Sequence, residues 1–195
     1  IVFSYYKILM LFINLINNSL KNVYYIYNTK KLIMKYLYTI LLSALLIGCT
    51  NSNQSVTKTD DDLSAKIKLQ YENYAANDFS FSDQYSENVV ARINNTVIDG
   101  KNNLMTGWKS HHEVLYVNIN IEDVYIHTNY LSNGNVWTNA WFTWKGKGQT
   151  TGQEYSNRGH FDYKWEDGKI VELLAYFDET SENNEIAAYT ASLEN

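Results

Sequence analysis

The chain has four histidines with which to do acid–base chemistry near neutral pH, and His160 has the most suggestive neighbours. Arg158, His160, Asp162 and Lys164 alternate along one face of a predicted strand, while Asn157, Gly159, Phe161, Tyr163 and Trp165 form its more apolar face. Asp178, at the end of the next predicted strand, would complete an acid–base pair with His160. Charges alternating along a strand are also ordinary surface patterning, and a solvated outer face is the preferred reading of this row. His111-His112 invites a metal, but consecutive side chains on a helix point about 100° apart, and no HExxH accompanies them. No metal site is expected. Tyr74, Trp108, Trp141 and Tyr176 would wall an apolar ligand pocket or fill a core. A phosphate-cradling glycine loop and a nucleophile elbow are both absent from the sequence, so nucleotide chemistry has no support and no cofactor is expected.

The elements that must position these residues follow from periodicity. Asp60-Asp61-Asp62 marks a helix start, with carboxylates complementing the helix dipole, and Leu63, Ile67, Tyr71, Tyr74 and Ala75 recur on one helical face. Phe79 to Asn88 reads as a loop or one helical turn. Val89, Ala91 and Ile93 alternate, Asn94-Asn95 offers a turn, and Thr96 to Ile98 would pair back as a short strand. Asp99 would cap a second helix with Leu104, Trp108, His111 or His112, and Leu115 on its apolar stripe, weakened at Gly107. From Val114 onward the period is two. Val117, Ile119 and Ile121 share one face and Val124 and Ile126 the other, so the phase slips at Glu122-Asp123, as at a bulge. Asn133-Gly134 signals a hairpin into Val136 to Lys145, which carries Trp137 and Trp141 on one face and Val136, Ala140, Phe142 and Trp144 on the other. Strands from about Tyr155 to Trp165 and from Lys169 to Phe177 follow, joined at Asp167-Gly168, and an acidic segment from Asp178 to Asn195 reads as a short or frayed helix.

Met34 to Cys49, MKYLYTILLSALLIGC, divides the chain. Lys35 precedes an apolar run, Leu37 to Ile47, too short to span a bilayer, and Leu46-Ile47-Gly48-Cys49 resembles the lipobox of bacterial lipoproteins. The resemblance implies cleavage after Gly48, a lipid anchor on Cys49 and a place in the bacterial cell envelope. Thr50 follows the cysteine where an inner-membrane retention signal would have Asp, so the outer membrane is favoured. Residues 1–33 open with Ile, hold no acidic residue and have the composition of AT-rich upstream DNA, so they read as an untranslated upstream extension with synthesis starting at Met34; a membrane helix over Ile1 to Ile16 is the alternative. The expected organisation is therefore an extension over 1–33, a signal peptide over 34–48, a flexible tether over 49–60, one domain over 61–180 and a tail over 181–195. Five lysines and no carboxylate precede Cys49, so the net charge of −5 for the whole chain becomes −10 from Cys49 onward, which disfavours nucleic acid as a partner. The acidic triplet at Asp60 also resembles export tags of surface lipoproteins, although helix capping accounts for it without further machinery. Cys49 is the only cysteine, so no internal disulfide is available.

The order of a long helix, a short hairpin, a second helix and four long antiparallel strands resembles the nuclear-transport-factor-2-like superfamily, particularly its SnoaL-like branch. Ile119 to Ile126 (INIEDVYI) looks like that family's first long strand, and Trp165 to Ile170 (WEDGKI) with Tyr176-Phe177-Asp178 looks like its closing hairpin. The resemblance covers about Asp61 to Asp178 and implies an α+β fold, a cone-shaped curved antiparallel sheet wrapped around N-terminal helices, with an apolar pocket at one end and a homodimer through the outer sheet face. In such a cone His160 and Asp178 would work from the pocket. Catalytic members place a carboxylate or histidine deep in the cone, but no such residue of theirs aligns onto this chain. The first functional expectation is accordingly a membrane-anchored binder of a small, largely apolar ligand, or an assistant of a partner protein. The alternatives are a cofactor-free isomerase, dehydratase or cyclase using His160 and Asp178, and a structural dimer.

Overall fold

The computed structural model describes residues 54–194 and, ahead of them, residues 10, 14–22, 24, 25, 27, 29–31, 34 and 35. These last are helical. The lipobox, with Cys49, lies outside the described residues, as does most of the expected signal peptide. No helix among the described residues is long and apolar enough to cross a membrane. The chain divides into two compact units, Ile1–Ser52 and Asn53–Asn195, and the second holds the candidate site.

That second unit opens with a short strand, β1 (Val56–Lys58), which pairs antiparallel with Thr128–Tyr130, so part of the expected tether is built into the sheet. Helix α1 (Asp62–Ala75) starts where the acidic triplet places it. Asp61 is its N-cap, accepting from Ser64 N–H at 2.9 Å, and its other oxygen accepts from Tyr130 O–H. Ile67 and Tyr71 on the predicted face are buried, joined by Ser64 and Gln70. A 3-10 turn (Ser80–Gln84) leads into β2 (Tyr85–Ile93), which pairs with β3 (Thr96–Asp99) around Asn94, as the alternation predicts. Asp99 ends β3 instead of capping α2 (Lys101–Ser110). Gly100 takes the N-cap position with φ 85°, a conformation Asp would adopt only with strain.

The expected strand from Val114 begins later. His111–Leu115 form a π-helical turn, and β4 (Tyr116–Tyr130) follows. Its register slips at Glu122–Tyr125, where Asp123 has φ 52°, and a second time near Asn118, φ 55°. These two irregularities bend the longest strand. Strands β5 (Val136–Gly148), β6 (Glu154–Glu166) and β7 (Lys169–Phe177) continue the antiparallel run, and β2 joins β7 in parallel, giving the sheet order β1-β4-β5-β6-β7-β2-β3.

One face of this curved, unclosed sheet holds α1, α2 and the core. Ala140 and Phe142 of β5, Tyr163 and Trp165 of β6, and Leu173 and Ala175 of β7 are buried against Ile67, Tyr71, Leu104 and Trp108. Polar atoms in the core are paired: Tyr85 O–H donates to Gln70 Oε1 at 3.1 Å, Tyr163 O–H to Tyr71 Oη at 3.1 Å, and Trp165 Nε1–H to Thr138 Oγ1 at 2.9 Å. The C-terminal segment is not frayed. It forms α3 (Thr180–Leu193), in which Ser181 and Glu185 are buried.

Candidate active site

Between the concave sheet face and the three helices lies a cavity of about 380 Å³, within the range typical of small-molecule sites. Its walls are largely aromatic: Tyr71 and Tyr74 from α1, Trp108 from α2, and Phe142, Trp144 and Phe161 from the sheet. Alternation explains why the sheet contributes rings. Every second residue of β5 and β6 faces the helices, and Gly159 lets the Phe142 ring lie flat against β6, since a Cβ there would come within 2.6 Å of it.

Three polar side chains meet in this wall, each from a different helical segment. Tyr74 stands in the last turn of α1, His111 in the π-helical turn after α2, and Glu182 in the first turn of α3; all three line the cavity. Tyr74 Oη lies 2.8 Å from His111 Nδ1, and His111 Nε2 lies 3.7 Å from Glu182 Oε1, an ion-pair distance once the ring is protonated. The π-helical turn matters here, because widening the helix by one residue per turn re-aims the side chain that it carries. Burial pushes the Tyr74 phenol well up, with the Glu182 charge adding to it, so Tyr74 stays a neutral donor. The imidazole of His111 holds the Glu182 carboxyl below the usual glutamate range, against the opposing effect of burial. Next to them Tyr116 is pushed up to about 12, chiefly by burial.

This arrangement is a relay. When neutral His111 accepts from Tyr74 O–H at Nδ1, its proton sits on Nε2, towards Glu182. Protonation of the ring reverses the first bond, so that Nδ1–H donates to the phenol oxygen and the Tyr74 proton is free to meet a ligand oxygen in the cavity.

The residues singled out from sequence divide between the two faces of the sheet. Tyr74 and Trp108 line the cavity, whereas Trp141, Tyr176 and His160 do not. In β5, Ala140 and Phe142 point inward, which turns Trp141 outward; Gly159 and Phe161 do the same for His160, and Ala175 and Phe177 for Tyr176. Tyr125, Trp141, His160 and Tyr176 stand in register as a row of rings across the outer face. His160 Nε2 is 2.7 Å from Asp162 Oδ1, and its ring packs edge-on to Trp141 at 4.2 Å. Asp178 Oδ1 accepts from Thr180 N–H at 2.9 Å, at the start of α3. The expected pairing of His160 with Asp178 inside the cavity is therefore not formed; the β6 row lies on the outer face, with Arg158 exposed and His160, Asp162 and Lys164 half-buried.

In the sequence His111 stands out as half of a His-His pair that invites a metal and, with His112 as the alternative, as a member of an apolar helical stripe. His111 turns to Tyr74, while His112 packs edge-on against Tyr74 at 5.0 Å and Phe79 at 5.9 Å, with burial first and His111 second lowering its pKa. Among the described residues no group of three or more His, Cys, Asp or Glu side chains gathers to hold a metal ion. Glu182 was missed. The clue for His111 was its place three residues after Trp108 on an apolar stripe, but α3 carries no comparable pattern.

No protein-family model matches the sequence, and no curated protein matches it. Solved structures do match the fold. A "putative isomerase" from Bacillus subtilis superposes with a TM-score of 0.54 at 17% identity, over 64% of this chain and 91% of that one. A "putative polyketide cyclase" from Xanthomonas campestris pv. campestris gives 0.53 at 16% identity, over 63% and 95%. Another from Pseudomonas putida gives 0.53 at 19% identity, over 62% and 94%. At these identities the likeness is one of fold, and this chain has the nuclear-transport-factor-2-like architecture that its element order implied: an α+β cone whose curved, open sheet wraps its N-terminal helices.

Proposed function

We propose that the domain is a cofactor-free acid–base catalyst acting on a small, largely apolar carbonyl compound, by proton transfer at the carbon next to the carbonyl. The isomerase, dehydratase and cyclase classes share this step. The observation that carries the reading is the Tyr74–His111–Glu182 relay in the wall of an apolar cavity. Tyr74, kept neutral by burial and freed to face the ligand when His111 is protonated, would donate to the developing enolate oxygen, and the Glu182 carboxylate beside His111 would accept and return the carbon-bound proton. Similarity of fold to structures called cyclases and isomerases supports the class of reaction without supplying its residues. The test is deuterium exchange into β-tetralone in heavy water, followed by proton NMR. Wild-type protein should accelerate exchange, and His111→Gln and Tyr74→Phe should each reduce the acceleration about 10²–10⁴-fold. Saturable binding of the ketone with exchange at the uncatalysed rate would instead favour a non-catalytic ligand-binding domain.

The setting we propose is the bacterial cell envelope, with the domain held by lipid on Cys49. The support is the sequence of Met34 to Cys49. Each buried methylene contributes about 0.8 kcal/mol, so two or three acyl chains would make release negligible. Cells fed an alkyne-tagged fatty acid should label the wild-type protein and leave Cys49→Ala unlabelled. Equal labelling of the two would remove the anchor from this reading.

A further inference from the structure

The charge around the cavity narrows the ligand class further, and this inference rests on reading the cavity as the ligand site. Among the described residues no lysine or arginine lines the cavity, whereas Glu179 and Glu182 both do. The two carboxylates are not equivalent. Glu182 faces His111, but Glu179, at the N-cap of α3 and half-buried, makes no side-chain hydrogen bond or ion pair among the described residues. The N-terminus of α3 offers the equivalent of about half a positive charge, which two carboxylates more than offset. Even with His111 protonated the mouth of the cavity keeps a negative excess. Glu182 faces the Tyr74 and Tyr116 phenols closely enough to act on both, so the field at this end of the cavity is negative within the protein interior, where it is poorly screened. The other walls include the aromatic rings of Trp144, Phe161 and Phe177, and Phe177 lies two residues before Glu179 in the chain. Aromatic faces attract cations through their quadrupoles, and an anion entering here would be desolvated without a counter-charge.

We infer that the cavity takes a ligand carrying a cationic nitrogen, an amine or quaternary ammonium on an apolar body, with the unpaired Glu179 carboxylate as its counter-charge and the aromatic walls as its seat. Anionic compounds are rejected by the same carboxylates. Glu179 makes no side-chain hydrogen bond or ion pair with Tyr74, His111 or Glu182 among the described residues.

The test compares benzyltrimethylammonium, benzyl alcohol and phenylacetate as probes of the purified protein by isothermal titration calorimetry. Benzyltrimethylammonium should bind about tenfold more tightly than benzyl alcohol, and phenylacetate more weakly than either. Glu179→Gln should remove most of the preference for benzyltrimethylammonium over benzyl alcohol. Equal or tighter binding of phenylacetate, or a cation preference undiminished in Glu179→Gln, would overturn the inference and leave the acid–base reading standing. Binding of none of the three would overturn the inference together with the choice of this cavity as the ligand site, whereas cation binding without exchange in the ketone assay would uphold it and contradict the acid–base reading alone.

Discussion

Glu185 shows how a single carboxylate can tie a helix to a neighbouring turn. It is fully buried on α3, where it accepts from Thr150 N–H at 3.2 Å, Thr151 N–H at 3.3 Å, Tyr155 O–H at 2.9 Å and the Thr151 hydroxyl. Burial alone would raise its pKa, but these donors together hold it below the usual value. A depressed folded-state value fixes the sign of the pH dependence. The stabilisation is complete above the unfolded value near 4.5 and is lost as the pH falls through the lower, folded value. Glu185→Gln exchanges one acceptor oxygen for a donor facing other donors, at a cost of about 1–3 kcal/mol. Thermal melts should show that deficit at neutral pH and a narrowing gap between variant and wild type below about pH 5. A gap that is independent of pH would show that the charge of Glu185 is not what the site stabilises.

At the scale of elements, most of the architecture was legible because periodicity and turn chemistry are local. The cap at Asp61, the hairpin at Asn133-Gly134 with Gly134 at φ 87°, and the bulge at Glu122-Asp123 all stand where the residues announce them. What was not legible depends on partners distant in sequence. Val56–Lys58 is too short and polar to read as a strand, and it is one only because the edge of β4 offers it a ladder. The π-helical turn at His111–Leu115 carries apolar residues that fit a helix or a strand equally, so the boundary was placed two residues early. Helix α3 gains its order from Ser181 and Glu185, polar residues that burial patterns assign to the surface. The site inherits these blind spots. His111 lies in the π-helical turn and Glu182 in α3, so two of the three relay groups sat in the segments hardest to read. Alternation did contain the correction for Trp141, His160 and Tyr176, since their neighbours Phe142, Phe161 and Phe177 claim the inner face.

For the whole molecule, the outer sheet face is the remaining question. Tyr125 is 57% exposed and Tyr176 51%, and with Trp141 and His160 they form the cross-strand row on the side away from the cavity. Such a surface suits self-association, and we propose that a second copy of the chain covers it, as the family resemblance implied. Sedimentation equilibrium should return a dimer for the wild type and a monomer for a Tyr125→Glu, Tyr176→Glu double variant; a monomeric wild type would refute this. The cavity lies on the opposite face of the sheet, so relay chemistry and self-association use different surfaces. The relay requires that Tyr74, His111 and Glu182 act as one unit. A double-mutant cycle on ketone exchange tests it most directly, with Tyr74→Phe, Glu182→Gln and the two combined. If the residues form one relay, the double variant should lose little more than the worse single variant. Losses that multiply would mean that Tyr74 and Glu182 act separately, and would contradict the relay.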